Sequence, residues 1–148
     1  MTQPTTADST VDLTNKALAA TKARRVRVGL YGIGLDTYWP QFKGLRQRLV
    51  GYQRQIAGQI KSYGADVVDA GLVDNPIAAR EAASLFRREE VEFIFLYVST
   101  YALSSTVLPV VQHVGVPVVV LNLQPVPQLD YAKFNALGDR GLMTGIWL

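Results

Sequence analysis

Four short stretches of the chain gather side chains suited to binding or proton transfer: Asp36, Tyr38, Trp39 and Gln41; Asp69 and Asp74; Ser99, Thr100 and Tyr101; and Asn122 with Gln124. They are neutral donors and acceptors, a few carboxylates and aromatic plates. Amide and hydroxyl groups exchange hydrogen bonds with the hydroxyls of a sugar, and rings cover its apolar carbon face. Phosphate is poorly served by the same stretches. Gly32-Ile33-Gly34 is followed by Leu35-Asp36-Thr37, so the third glycine of the dinucleotide fingerprint is missing, and no lysine follows at Walker spacing. A flavin phosphate loop wants serine, threonine and glycine amides where this chain has Tyr38-Trp39-Pro40, and Asp36 would repel the anion.

Each of these residues also has a purely structural reading. Tyr38 and Trp39 can staple their loop to the domain, and the two glycines need only mean a tight turn. Asp74 suits the start of a helix, where a carboxylate meets the positive end of the dipole. Ser104 and Ser105 are placed to cap the helix that follows them. Asn122 and Gln124 end an apolar strand just before Pro125, where their amides must meet solvent, backbone or ligand.

Other chemistries are excluded by composition. The chain has no cysteine, so thiolate nucleophiles, thiolate metal sites and disulfides are ruled out. His113 is the single histidine and lies near a helix end, which leaves no Ser-His-acid set and no histidine cluster for a metal. The aspartates show no Asp-x-Asp spacing for calcium. A net charge of +3, spread along 148 residues, does not point to nucleic acid. Arg46, Arg48 and Arg54 read as a solvated face or a subunit contact.

The loops are informative together because of what must carry them. Val26–Tyr31 is β-branched and apolar and ends where Gly32 and Gly34 permit a turn. Between Phe42 and Tyr63, Leu45, Leu49, Tyr52, Ile56 and Ile60 recur at helical steps, with Arg46, Gln53, Arg54 and Lys61 on the other side. Gly51 and Gly58 share a stripe of that helix, as close packing against a sheet would require. Gly64 ends it. "ADVVDAGLVD" supplies a second strand, Asn75-Pro76 opens a helix to about Glu90 that buries Ala79, Ala82, Ala83 and Phe86, and "VEFIFLYV" is a third strand covered on both faces. "SSTVLPVVQHVG" is a short helix, kinked or restarted at Pro109, and "VPVVVLNL" is the fourth strand.

Strands alternating with helices signify βαβ units, wound by right-handed crossovers into a parallel sheet with helices on both faces. The expectation is a single three-layer αβα domain of doubly wound, flavodoxin-like type, over residues 25–148, preceded by a solvated tail at 1–24. In such a sheet the strands' carboxyl ends share one edge, where ligands lie, so all four loops converge on it. At 49% hydrophobic and 18% charged residues the chain can bury a core, and no window approaches the ~20 apolar residues of a membrane span. With no secretory or transit pattern at the start, a cytoplasmic location is expected. The last stretch, "QPVPQLDYAKFNALGDRGLMTGIWL", is proline-broken and weakly periodic, and its apolar finish reads as a piece of something longer.

The order of "YWPQFKGL", "GLVD", "FLYVSTYALSSTVLPVVQ", "PVVVLNLQP" and "NALGDRGLMTGIWL" resembles the amino-terminal domain of the L-arabinose/L-fucose isomerase family, over Arg25 to Leu148. That resemblance implies a metal-dependent aldose–ketose isomerase, with manganese binding neighbouring sugar oxygens while acids move protons through an enediol. The family's metal ligands come from later domains, so it implies no catalytic residue or metal ligand in this chain, which is expected to be inactive alone. It implies a small-molecule sugar as partner, trimer or hexamer contacts when full-length, and no nucleic acid or membrane. By motif, the sugar-facing role falls on the first loop, Asp36 to Gln41, and on Asn122 and Gln124. Thr100 and Tyr101 join them from the shared sheet edge. The first loop departs from the Gly-Ser-Gln arrangement of arabinose isomerases. A stand-alone sugar-binding module without catalysis, and a flavodoxin-like electron carrier, are the alternatives.

Overall fold

The computed structural model describes residues 24–124. The stretches 1–23 and 125–148, with the tail and the final motif of the sequence reading, lie outside them. Four parallel strands run in the order β2-β1-β3-β4: β1 (Arg27–Ile33), β2 (Asp66–Val73), β3 (Phe93–Val98) and β4 (Val118–Leu121). Three helices make the crossovers: α1 (Leu45–Ser62), α2 (Pro76–Arg88) and α3 (Ser104–Val114). This is a doubly wound α/β sheet, and its order matches the first four strands of the 2-1-3-4-5 arrangement. No helix among the described residues is long and apolar enough to cross a membrane.

Alternation along the strands assigns the layers. Tyr31 and Ile33 of β1, with Ile94 and Leu96 of β3, pack against Ala79, Ala82 and Phe86 of α2 and Val110 of α3. Leu30 and Tyr97 point the other way, onto Ala57, Tyr52, Ile56 and Ile60 of α1. One face therefore carries two helices and the other carries one. Gly29 is required by the first face, because a Cβ there would stand 3.1 Å from the Phe86 ring.

Local signals explain the boundaries. Asn75 caps α2 by accepting from the N–H groups of Ile77 and Ala78, both at 2.9 Å, and Pro76 occupies the first helical position. Gly64, at φ +91°, follows the carboxyl end of α1. β2 contains a bulge: its pairing with β1 steps from Leu30↔Asp69 to Gly32↔Leu72, so β2 spends one extra residue. Gly71 takes the left-handed conformation there, at φ +73°, and donates its N–H to Asp69 Oδ1 at 2.9 Å.

Several expectations are corrected. The first strand runs through Gly32 to Ile33, and neither Gly32 nor Gly34 adopts a positive φ. Both are demanded by crowding, since a Cβ on Gly32 would lie 2.5 Å from Gln53 Oε1 and one on Gly34 would lie 3.0 Å from the Trp39 ring. Gln53 belongs to the buried side of α1, at 2% exposure, not to the solvent side. Gly51 and Gly58 make no close helix-on-sheet contact, because a Cβ at either would meet nothing within 4 Å. Ser104 and Ser105 do not cap α3: Leu103 is its N-cap, no side chain bonds there, and Pro109 is accommodated inside the helix.

Candidate functional site

The winding directs three of the four loops to one region. β1 leaves toward β2 and β3 leaves toward β4, so their connections diverge between two adjacent central strands, the place where open α/β sheets form a ligand crevice. Ser99, buried after β3, donates its hydroxyl to the Ile33 carbonyl at 2.5 Å and ties the two strand ends across this point. Gly34 N–H bonds Val73 O at 2.9 Å and Asp36 N–H reaches Asp74 O at 3.3 Å, which brings the β1 and β2 loops together.

The first loop begins as a short 3-10 turn, Asp36–Tyr38. The Trp39 indole N–H donates to Asp74 Oδ2 at 2.8 Å, and Asn75 Nδ2 donates to the other oxygen at 2.9 Å. The Arg46 guanidinium stands 3.7 Å from the same Oδ2. This set ties the first loop to the start of α2, as in the structural reading of Trp39 and Asp74. Tyr38 meets Phe42 edge to face at 6.1 Å and both pack on Leu45 and Leu49. Gln41 Nε2 donates to Thr37 O at 2.6 Å while its side chain remains exposed.

The other sequence candidates divide by exposure. Asp36, Tyr101, Asn122 and Gln124 are exposed, whereas Thr100 is buried and its hydroxyl bonds the Tyr101 carbonyl at 3.0 Å. Asp69 does not join the Asp74 corner. It accepts from Gln53 Nε2 at 2.5 Å and anchors the β2 bulge. Asn122 and Gln124 follow β4, which is two places from β1, roughly 10 Å away at ordinary strand spacing.

Gln124 instead borders a groove of about 230 Å³ between α1 and the β3–β4 half of the sheet, lined also by Tyr52, Gln55, Ile56, Gln59, Tyr97 and Leu123. The sequence reading missed Gln55 and Gln59. Their signal was present in the four-residue step beside Ile56, but it is indistinguishable from an ordinary polar helix face until the uncovered sheet next to it is seen. Tyr97 is buried, and burial together with nearby Tyr52 pushes its hydroxyl pKa up to about 12, so the phenol stays neutral at physiological pH.

Among the described residues no group of three or more His, Cys, Asp or Glu is placed to hold a metal ion. The oxygens of Asp74 already accept from Trp39 and Asn75, and Asp69 Oδ1 is taken by Gln53 and Gly71. The described residues do not fit a divalent cation. His113, exposed near the carboxyl end of α3, has its Nδ1 2.7 Å from the Pro109 carbonyl. In comparisons with known proteins, the chain matches no family model, no curated protein and no solved structure.

Proposed function

We propose that this chain is the sugar-handling α/β domain of a metal-dependent aldose–ketose isomerase of the arabinose/fucose type, inactive alone and acting in the cytoplasm. The observation that carries the sugar reading is the neutral chemistry after the strands: exposed Gln41 lies in the loop beside the switch point, Tyr101 follows β3, and exposed Asn122 and Gln124 follow β4, with Gln124 on the groove beside α1. Such groups recognise hydroxyls, and the first loop, held by Trp39 and Asp74, supplies a fixed wall. In this reading manganese, which would polarise the sugar oxygens, is held by other polypeptide, and the assembly is a trimer or hexamer. The contribution of this chain is to bind and orient the sugar.

The test combines binding with turnover. Ligand-observed NMR on the full chain, with L-arabinose and L-fucose, is expected to show saturation transfer, and a ketose assay with added manganese to show none formed. Failure of every neutral aldose to bind overturns the sugar reading. Ketose formation by the chain alone overturns its inactivity. A stand-alone sugar-binding module is the second reading, favoured by a groove built wholly from residues of this domain. Sugar binding retained by a chain that never assembles with metal-bearing polypeptide distinguishes it.

A further inference from the structure

The groove beside α1 has a composition that the sheet-edge loops do not share. Tyr52, Gln55, Ile56 and Gln59 lie at steps of three, four and seven along α1, which aligns them on one stripe facing Tyr97 and the segment after β4. Gln55 and Gln59 are exposed amides on either side of the half-buried Ile56, and Gln124 adds a third from across the groove. None of the described lining residues carries a charge. At about 230 Å³ the groove has room for a small ring and is open to solvent.

We propose that the sugar of the preceding section lies in this groove as a single neutral ring, with the amides of Gln55, Gln59 and Gln124 on its hydroxyls and Ile56, Leu123 and the tyrosine rings on its C–H face. The inference rests on the sugar reading and adds its location and its selectivity. Each amide both donates and accepts, so adjacent hydroxyls can be met from either side. A phosphate or carboxylate entering the groove would lose water and find no cation among the described lining residues, which selects neutral aldoses over phosphosugars and sugar acids.

The experiment titrates the full chain with L-arabinose, L-fucose and arabinose 5-phosphate, in parent, Gln55→Ala/Gln59→Ala and Gln112→Ala forms. Alanine suits both helix positions, and circular dichroism checks that the fold is kept. The double variant is expected to bind the neutral sugar about 10-fold more weakly, from the loss of two hydrogen bonds, and the Gln112 variant, on α3 across the sheet, to bind as the parent does. The phosphosugar is expected to bind at least about 10-fold more weakly than the neutral one. If the double variant binds like the parent, or the phosphosugar binds as well as the neutral sugar, the groove is not the site although the sugar reading stands. If the parent binds no neutral sugar, both fall.

Discussion

The two faces of the sheet are built differently. The face under α2 and α3 is sealed over β1 and β3, where Tyr31, Phe86 and Ile94 with Val110 are fully buried and a Cβ at Gly29 would crowd Phe86, and it opens at edge strand β4, where Val120 is 59% exposed. The face under α1 is partly polar and partly open. Gln53 is buried against Gly32 with its Oε1 lacking a hydrogen bond, and beyond Tyr97 the covering stops, leaving Val119 42% and Leu123 43% exposed. The sealed face accounts for cohesion. Exposed amides line the groove on the α1 face, Gln55, Gln59 and Gln124, whereas the unpartnered polar group of the sealed face is the Tyr31 hydroxyl, buried out of reach of a ligand.

The hardest test of that contrast is Phe86→Ala, expected to cost about 3–5 kcal/mol in urea unfolding because it empties the sealed core. A loss below ~1 kcal/mol would mean the face is not sealed. Alkaline titration probes both faces. Burial raises the Tyr31 hydroxyl pKa and, together with Tyr52, lifts that of Tyr97 to about 12. A raised folded-state pKa means that the stability is intact below the unfolded value near 10 and is lost as pH climbs toward 12. Absorbance at the phenolate band should therefore show these two tyrosines ionising only with unfolding, and independent titration near pH 10 would contradict their burial.

Smaller effects sharpen the comparison. Trp39→Phe removes one donor from Asp74 and is expected to destabilise by about 1–2 kcal/mol, read by chemical denaturation. Gly32→Ala should cost about 1–2 kcal/mol by displacing Gln53 from Asp69, visible as a shift of the Gln53 amide resonances. Gly51→Ala and Gly58→Ala, where added methyls meet nothing, should each raise stability by up to about 1 kcal/mol.

The legible part of the fold was the part governed by period and punctuation. Asn75-Pro76 announced the start of α2, and Ala79, Ala82, Ala83 and Phe86 formed its buried side as their spacing requires. Gln53 defeated the same logic, since a polar residue on a helix reads as solvent-facing until Asp69, sixteen positions away, provides its partner. Gly32 and Gly34 looked like turn residues because crowding by a distant side chain leaves no local mark. In the site, the neutral character of the loops was visible, and so was the staple reading of Trp39. The groove was not, because it exists only where a helix fails to cover two strands that are far from it in sequence.

The bulge at Gly71 reaches further than its one residue. Side chains of β2 alternate, with Val68 and Ala70 turned toward α2 and α3; the extra position then hands that side to Val73 and turns Leu72 to the other face, beside Gly32 and Gly34. Deleting it would invert the phase of everything that follows, exchanging Leu72 and Val73 and turning the Asp74 carboxylate away from the indole it grips. A single left-handed glycine thus sets the parity of the strand end on which the first loop is hung.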